Sequence, residues 1–379
     1  MINVKSNNNL SIFKIISLIW SSIDYKRRNQ VFFLLIIILI CGISEVLNLI
    51  LLKNFLTILN TQQELDKNLL IFKIIDFLNL NTKNLLSLST FIFVFSSIFT
   101  ATFRLLNLWL NGVLSGRITS DISYKVFLNT INREYKDYVQ DNSSNVVSKL
   151  SLCINGLVNV LGYIFNLFSS IIIVSIIFIG LCFINYSISL LSIFLFGITY
   201  YLLLNRSKKF LSKNSVFILK NGEKQLKLIQ EVLGAFREVI INANQQFFLK
   251  KYKNIDYPMR YKLAQNRFIS SSPKFILENI GFIFLATLAL VLSSKSQNMI
   301  PLLGIFALAA QKILPSMHLI FQSLTGIRSN SAYISDIFES FHKNNQAARN
   351  FTGDKNKITF KDSIEIRNLS FRYTTGKPY

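Results

Sequence analysis

Apolar residues in this chain come in long runs, and polar residues gather between them. Val31–Leu52, Leu85–Gly112 and Phe275–Ser294 are such runs. Each reaches the roughly 20 apolar residues that a helix needs to cross bilayer hydrocarbon. Residues 151–205 carry no charged side chain. That stretch is too long for one crossing and suits two, about 157–183 and 187–204, turning at Asn185-Tyr186-Ser187. Met299–Gly326 completes six expected spans. Residues 10–23 have helical apolar spacing before Lys26-Arg27-Arg28, which predicts a helix lying in the membrane interface. The bland alternative is the pre-span turn of the first span. In the loop 53–84, Leu65, Leu69, Phe72, Ile75 and Leu78 share one face and predict a short amphipathic helix over 64–78.

The polar connections are unequal. Those between spans three and four and between five and six are very short. The connection from span two to span three is long, and holds Asn132-Arg-Glu-Tyr-Lys-Asp-Tyr138 and the capping group Asn142-Ser-Ser144. Asn205–Ser270 is the most basic part of the chain, with fourteen Lys/Arg against four acids, one Pro and two Gly. It reads as two long helices with a break and restart at Glu231-Val-Leu-Gly-Ala-Phe-Arg-Glu238. After Arg328 a connecting helix runs to about Asn345. Ile364–Tyr373 then alternates apolar and polar positions, with a phase slip at Asn368, and predicts the first strand of a soluble domain.

The expected architecture is an all-α membrane protein. It has six transmembrane helices with long cytoplasmic helical extensions, followed by one β-strand. The divisions are 1–30 (interfacial helix), 31–328 (membrane domain), 329–360 (connecting helix and linker) and 361–379 (start of the soluble domain).

Composition agrees: 51% of residues are hydrophobic and only 16% charged. The net charge of +22 would suggest nucleic acid in a soluble protein. Position decides otherwise. Five Lys/Arg fall in 1–30, five in 111–155, fourteen in 205–270 and nine in 325–379, while 53–84 holds four and 294–298 one. That alternation follows the positive-inside rule and sets both termini in the cytoplasm. The Ile/Asn/Lys-rich usage resembles that of an AT-rich bacterial genome, so the expected location is a bacterial plasma membrane. The first apolar run follows about thirty polar and basic residues and has no small-residue cleavage site, so no cleaved signal peptide is expected. Cys41, Cys153 and Cys182 have no metal-ligand spacing, and His318 and His342 are too few and too far apart for a metal site.

Six spans, long inside loops and a strand ending in Phe371-Arg-Tyr373 together resemble an ABC exporter half-transporter. The resemblance implies a homodimer in the bilayer. It also implies ATP and Mg²⁺ bound by a nucleotide-binding domain, supplied in cis or in trans. Two inside loops would dock on that motor, at about Asp137–Asn145 (Tyr138, Asn142) and Leu233–Asn242 (Gly234, Phe236, Arg237, Glu238). Tyr373 matches the aromatic residue that stacks on adenine. A narrower likeness is to bacterial lipid-linked oligosaccharide flippases. It rests on Ser272-Pro-Lys-Phe-Ile-Leu-Glu278, Ala309-Ala-Gln-Lys-Ile-Leu-Pro-Ser316 and the Glu231–Glu238 stretch. The phosphate loop G-x-x-x-x-G-K-[ST] is absent, since Gly376-Lys377 is followed by Pro378. The chain therefore reads as a membrane domain cut off at the threshold of its motor, with no ATPase activity of its own. A second reading is a truncated subunit that borrows a separate ATPase, or a decaying gene product.

Five charged residues in or beside the spans are candidates for a substrate cavity. Lys312 either meets an anionic head group, or pairs with Glu45 or Glu278, or faces a hydrated dimer cavity. Arg104, toward the inner end of span two, reads first as a snorkelling residue. Lys274 suits phosphate binding and head-group anchoring equally. Glu45 suits a structural ion pair better than a proton site, and Glu278 suits a helix cap or ion pair.

Overall fold

The computed structural model describes residues 11–60, 85–132, 143–184, 186–293, 299–344, 363 and 365–369. Ten α-helices run through them: α1 (Ile12–Ser22), α2 (Tyr25–Asn60), α3 (Leu85–Ile131), α4 (Ser143–Ser148), α5 (Ile154–Ile184), α6 (Tyr186–Gly234), α7 (Phe236–Ile241), α8 (Gln245–Ser293), α9 (Met299–Ser329) and α10 (Ser331–Asn344). A π-helical turn, Lys149–Cys153, joins α4 to α5.

Two expectations are corrected. Five helical stretches among the described residues, not six, are long and apolar enough to cross a membrane; they lie in α2, in α3, in α4–α5, in α6 and in α8. The helix expected as the sixth span forms as α9, Met299–Ser329, and is not among those five. The second correction concerns the strand. No strand occurs among the described residues, and 365–369 are irregular. A strand needs a neighbour to satisfy its backbone, and alternation alone supplies none. At Asn368, where the alternation slips phase, φ is +50°, the left-handed region that Asn tolerates better than most residues.

The helix lengths follow from composition. The 49-residue helices α6 and α8 are each about 70 Å long, more than twice the roughly 30 Å of apolar thickness. Their apolar parts lie in the bundle, and the basic Asn205–Ser270 stretch stays packed on it at Leu211, Ile218 and Leu219. Helix α6 ends at Gly234 and α8 starts at Gln245, with α7 as a crosspiece between them. The expected helix over 64–78 and the residues 133–142, including Tyr138 and Asn142, lie outside the described residues.

Among the described residues two large apolar cores hold the bundle, beside a small one of Leu51 and Ile58 on α2 against α3. One joins α1 (Ile15, Ile19), α2 (Leu34, Ile38), α3 (Ile118, Ile122), α5 (Leu157, Leu161) and α10 (Ile334, Ile337). The other joins α2 (Cys41), α5 (Ile177), α6 (Phe196, Tyr200), α8 (Leu277) and α9 (Ile313, Phe321). Tyr200 and Phe321 meet edge to face at 5.9 Å between centroids. Helix α9 packs against α2, α5, α6 and α8, so it is the central post of the second core. Gly326 lets α9 approach α5: a Cβ there would stand 2.5 Å from the Tyr163 ring.

Candidate site: a buried carboxylate between two cations

Helix α3 carries Ser97, Thr100, Arg104, Asn107 and Asn111, spaced by three or four positions. That spacing puts them on one face. The face is used on both sides. Toward α2, Ser97 donates to Asn48 Oδ1 at 3.2 Å, and Thr100 Oγ1 is 3.3 Å from the Ser44 carbonyl. Toward α5, Asn107 donates to Ser169 at 2.7 Å and Asn111 to Asn166 at 3.4 Å. This polar stripe inside an apolar helix is visible in the sequence at helical spacing, and only Arg104 among it was singled out there.

Arg104 stands in the middle of that stripe. Its Nε lies 2.9 Å from Glu45 Oε1. Lys312, from α9, donates to the other oxygen, Oε2, at 2.8 Å. The Glu45 side chain has no solvent exposure, so α2, α3 and α9 converge on one buried carboxylate. The Arg104 contact is electrostatic without being a directed hydrogen bond, and Oε1 has no aligned donor among the described residues. Lys312 thus holds Glu45 more firmly than Arg104 does.

Charge counting sets what the cluster can do. One carboxylate faces two cations, so the group carries a net positive charge within an apolar bundle. The lysine and arginine side chains remain 28% and 42% exposed, so the surplus charge is accessible. A buried charge is costly unless it is paired, and a surplus cation at such depth invites an anion.

The other sequence candidates lie apart from this cluster. Lys274 and Glu278 pair on α8 at 3.9 Å, one helical turn apart and both largely solvated. Gly234 ends α6, and Phe236, Arg237 and Glu238 form the exposed first turn of α7. Around them a cavity of about 420 Å³ is lined by Leu228, Val232, Phe236, Val239, Phe248 and Tyr252. The backbone leaves this crosspiece through Ala243 at φ +53°. Tyr373 lies outside the described residues. No group of three or more His, Cys, Asp or Glu among the described residues is placed to hold a metal ion. Nothing in the described residues fits Mg²⁺ or a nucleotide, and no step through either is assigned to them.

The family model described as ABC transporter transmembrane region matches residues 31–311. The match takes in α2 through α8 and the part of α9 up to the residue before Lys312.

Proposed function

Because this chain belongs to the ABC transporter transmembrane-region family, we propose that it is the membrane domain of an ATP-driven exporter that moves an anionic amphipathic lipid, a polyprenyl-pyrophosphate-linked glycan, across the bacterial plasma membrane. It works as a homodimer with cytoplasmic termini. A nucleotide-binding domain, in cis or in trans, hydrolyses ATP with Mg²⁺ and docks on α7.

One observation carries the reading: Glu45, fully buried, holds Lys312 and Arg104 together and leaves one positive charge in excess. A neutral cargo gains nothing from that charge. A pyrophosphate does, and its polyprenyl tail stays in the bilayer while the head group meets the cations. Glu45 keeps the two cations from repelling each other in the empty site, and it offers a partner to which Lys312 returns after release. The exposed apolar residues of the crosspiece, Leu233, Phe236, Ile240 and Ile241, supply the docking face for the motor. Closure of the motor dimer then tilts α6 and α8, which pack against α9, the helix that carries Lys312.

The test is stimulation of ATP hydrolysis by the native complex in nanodiscs. A polyprenyl-pyrophosphate-linked glycan raises the rate, and the same polyprenol without pyrophosphate does not. Equal responses to both lipids would contradict the anionic cargo.

A further inference from the structure

The corner between α1 and α2 holds a second site. Helix α1 begins at Ser11, whose hydroxyl accepts from Lys14 N at 3.3 Å. It buries Ile15, Leu18 and Ile19 and leaves Phe13 and Trp20 exposed. Between α1, α2 and α5 lies a cavity of about 200 Å³. Its walls include Ile19, Trp20, Leu35, Ile38, Ile164 and Phe168, and no charged side chain lines it. It is long enough for several methylene groups, and nothing polar in it would hold water.

The charges at its mouth are unbalanced. Arg28 folds back from α2, donating from Nε to the Ile23 carbonyl at 3.2 Å and from Nη2 to the Trp20 carbonyl at 3.1 Å. Its guanidinium also lies 5.4 Å from the Trp20 ring centroid. Trp20 and Ile23 both line the cavity, so Arg28 sits on its rim. Those two bonds use two of the five N–H donors that an arginine has. The nearby acids are engaged elsewhere: Asp24 pairs with Lys125 at 2.8 Å, and Asp121 with Arg27 at 2.7 Å. Arg28 therefore keeps its positive charge and free donors beside an apolar slot.

We propose that this slot seats one acyl chain of an anionic phospholipid from the leaflet in which α1 lies, with its phosphate on Arg28. A bilayer already solvates acyl chains, so tail burial alone gives little selectivity. Selection comes from the head group, at about 1 kcal/mol, or about fivefold, per basic residue near an anionic surface. The lipid joins α1 to α2 and α5 and so fixes the angle at which α1 meets the bundle. This site is separate from the Glu45 cluster and does not depend on what that cluster transports.

The chain has two tryptophans, Trp20 and Trp109. Trp109→Phe leaves Trp20 as the only indole, and the full chain in this background is reconstituted in phosphatidylcholine bilayers. Brominated phosphatidylglycerol and brominated phosphatidylcholine are then compared as quenchers of Trp20. The expected result is half-quenching at about fivefold lower mole fraction of the anionic lipid, and loss of that difference in Arg28→Gln. A second variant, Leu35→Phe, narrows the slot and keeps Arg28; it also abolishes the low-fraction quenching while helix content by circular dichroism is unchanged. Equal quenching by the two lipids in the parent protein overturns the proposal, as does a preference that survives Leu35→Phe.

Discussion

Lys312 of α9 donates to Glu45 of α2 at 2.8 Å, across 267 positions of sequence. The bond closes the bundle between its first long helix and its central post. It has an energetic consequence, because Glu45 is wholly buried. Glu45→Gln leaves Lys312 and Arg104 facing each other without a carboxylate. Breaking a buried pair from one side costs about 3–5 kcal/mol, and the lowered unfolding temperature in detergent reads that cost. Replacing Lys312 by Gln in the same chain removes the stranded cation, so the double variant recovers part of the loss. A double variant as unstable as Glu45→Gln alone would show that the pair is not coupled.

The second prediction concerns backbone approach. A methyl group at Gly326 meets the Tyr163 ring at 2.5–2.6 Å, closer than carbon atoms approach without something moving. The ring is itself wedged between α5 and α9. Gly326→Ala is expected to destabilise by about 1–3 kcal/mol through overpacking, read by thermal unfolding. Gly112→Ala, where nothing lies within 4 Å of the added atom, is the control and should leave stability unchanged or slightly raised.

These two sites show what was legible in the sequence. The apolar runs gave the helices, because length and composition are local properties. The break between α6 and α8 was legible in Glu231–Glu238, and the structure places it at Gly234. The pairing of Glu45 with Lys312 was one of several alternatives, because which helices touch is not written in hydropathy. The contact of Arg104 with Glu45 was not among those alternatives, for the same reason. The 3–4 spacing of Ser97, Thr100, Arg104, Asn107 and Asn111 was the signal that could have corrected this. Two expectations failed. The helix expected as the sixth span forms as α9 but is not among the five stretches long and apolar enough to cross, and the strand over Ile364–Tyr373 had no partner to pair with among the described residues.

The third prediction tests the crosspiece. Phe236 and Glu238 are exposed on α7. Phe236→Asp should change stability by no more than about 0.5 kcal/mol, as for surface positions. In the native complex it should lower the amount of cargo moved per ATP hydrolysed, since the docking face loses its apolar anchor. Unchanged coupling with unchanged stability would remove α7 from the proposed motor interface.

Acid should loosen the α1–α2 corner. The Lys125 ammonium bonded to Asp24 holds its carboxyl below the ordinary carboxylate range. A depressed folded value means the contribution is complete above the ordinary pKa of about 4 and is lost as pH falls through the lower, folded value. Asp24 is exposed, so the effect is small and sensitive to salt. Trp20 emission, followed on acidification below about pH 4, should shift as α1 loosens. Asp24→Asn should show a loosened corner already at neutral pH and no further acid step from this group.

The most direct measurement is translocation itself. The native complex is reconstituted in proteoliposomes with its motors facing outward and a polyprenyl-pyrophosphate-linked glycan in the outer leaflet, and the fraction moved inward after ATP addition is read as glycan protected from an external glycan-cleaving enzyme. The account predicts ATP-dependent transfer by the parent protein, and a loss of about tenfold or more in Lys312→Gln, the equivalent of about 1.4 kcal/mol of head-group binding. Lys274→Gln, whose lysine is paired on its own helix, should transfer nearly normally. Undiminished transfer by Lys312→Gln would contradict the central claim that the surplus positive charge of the Lys312–Glu45–Arg104 cluster receives the cargo.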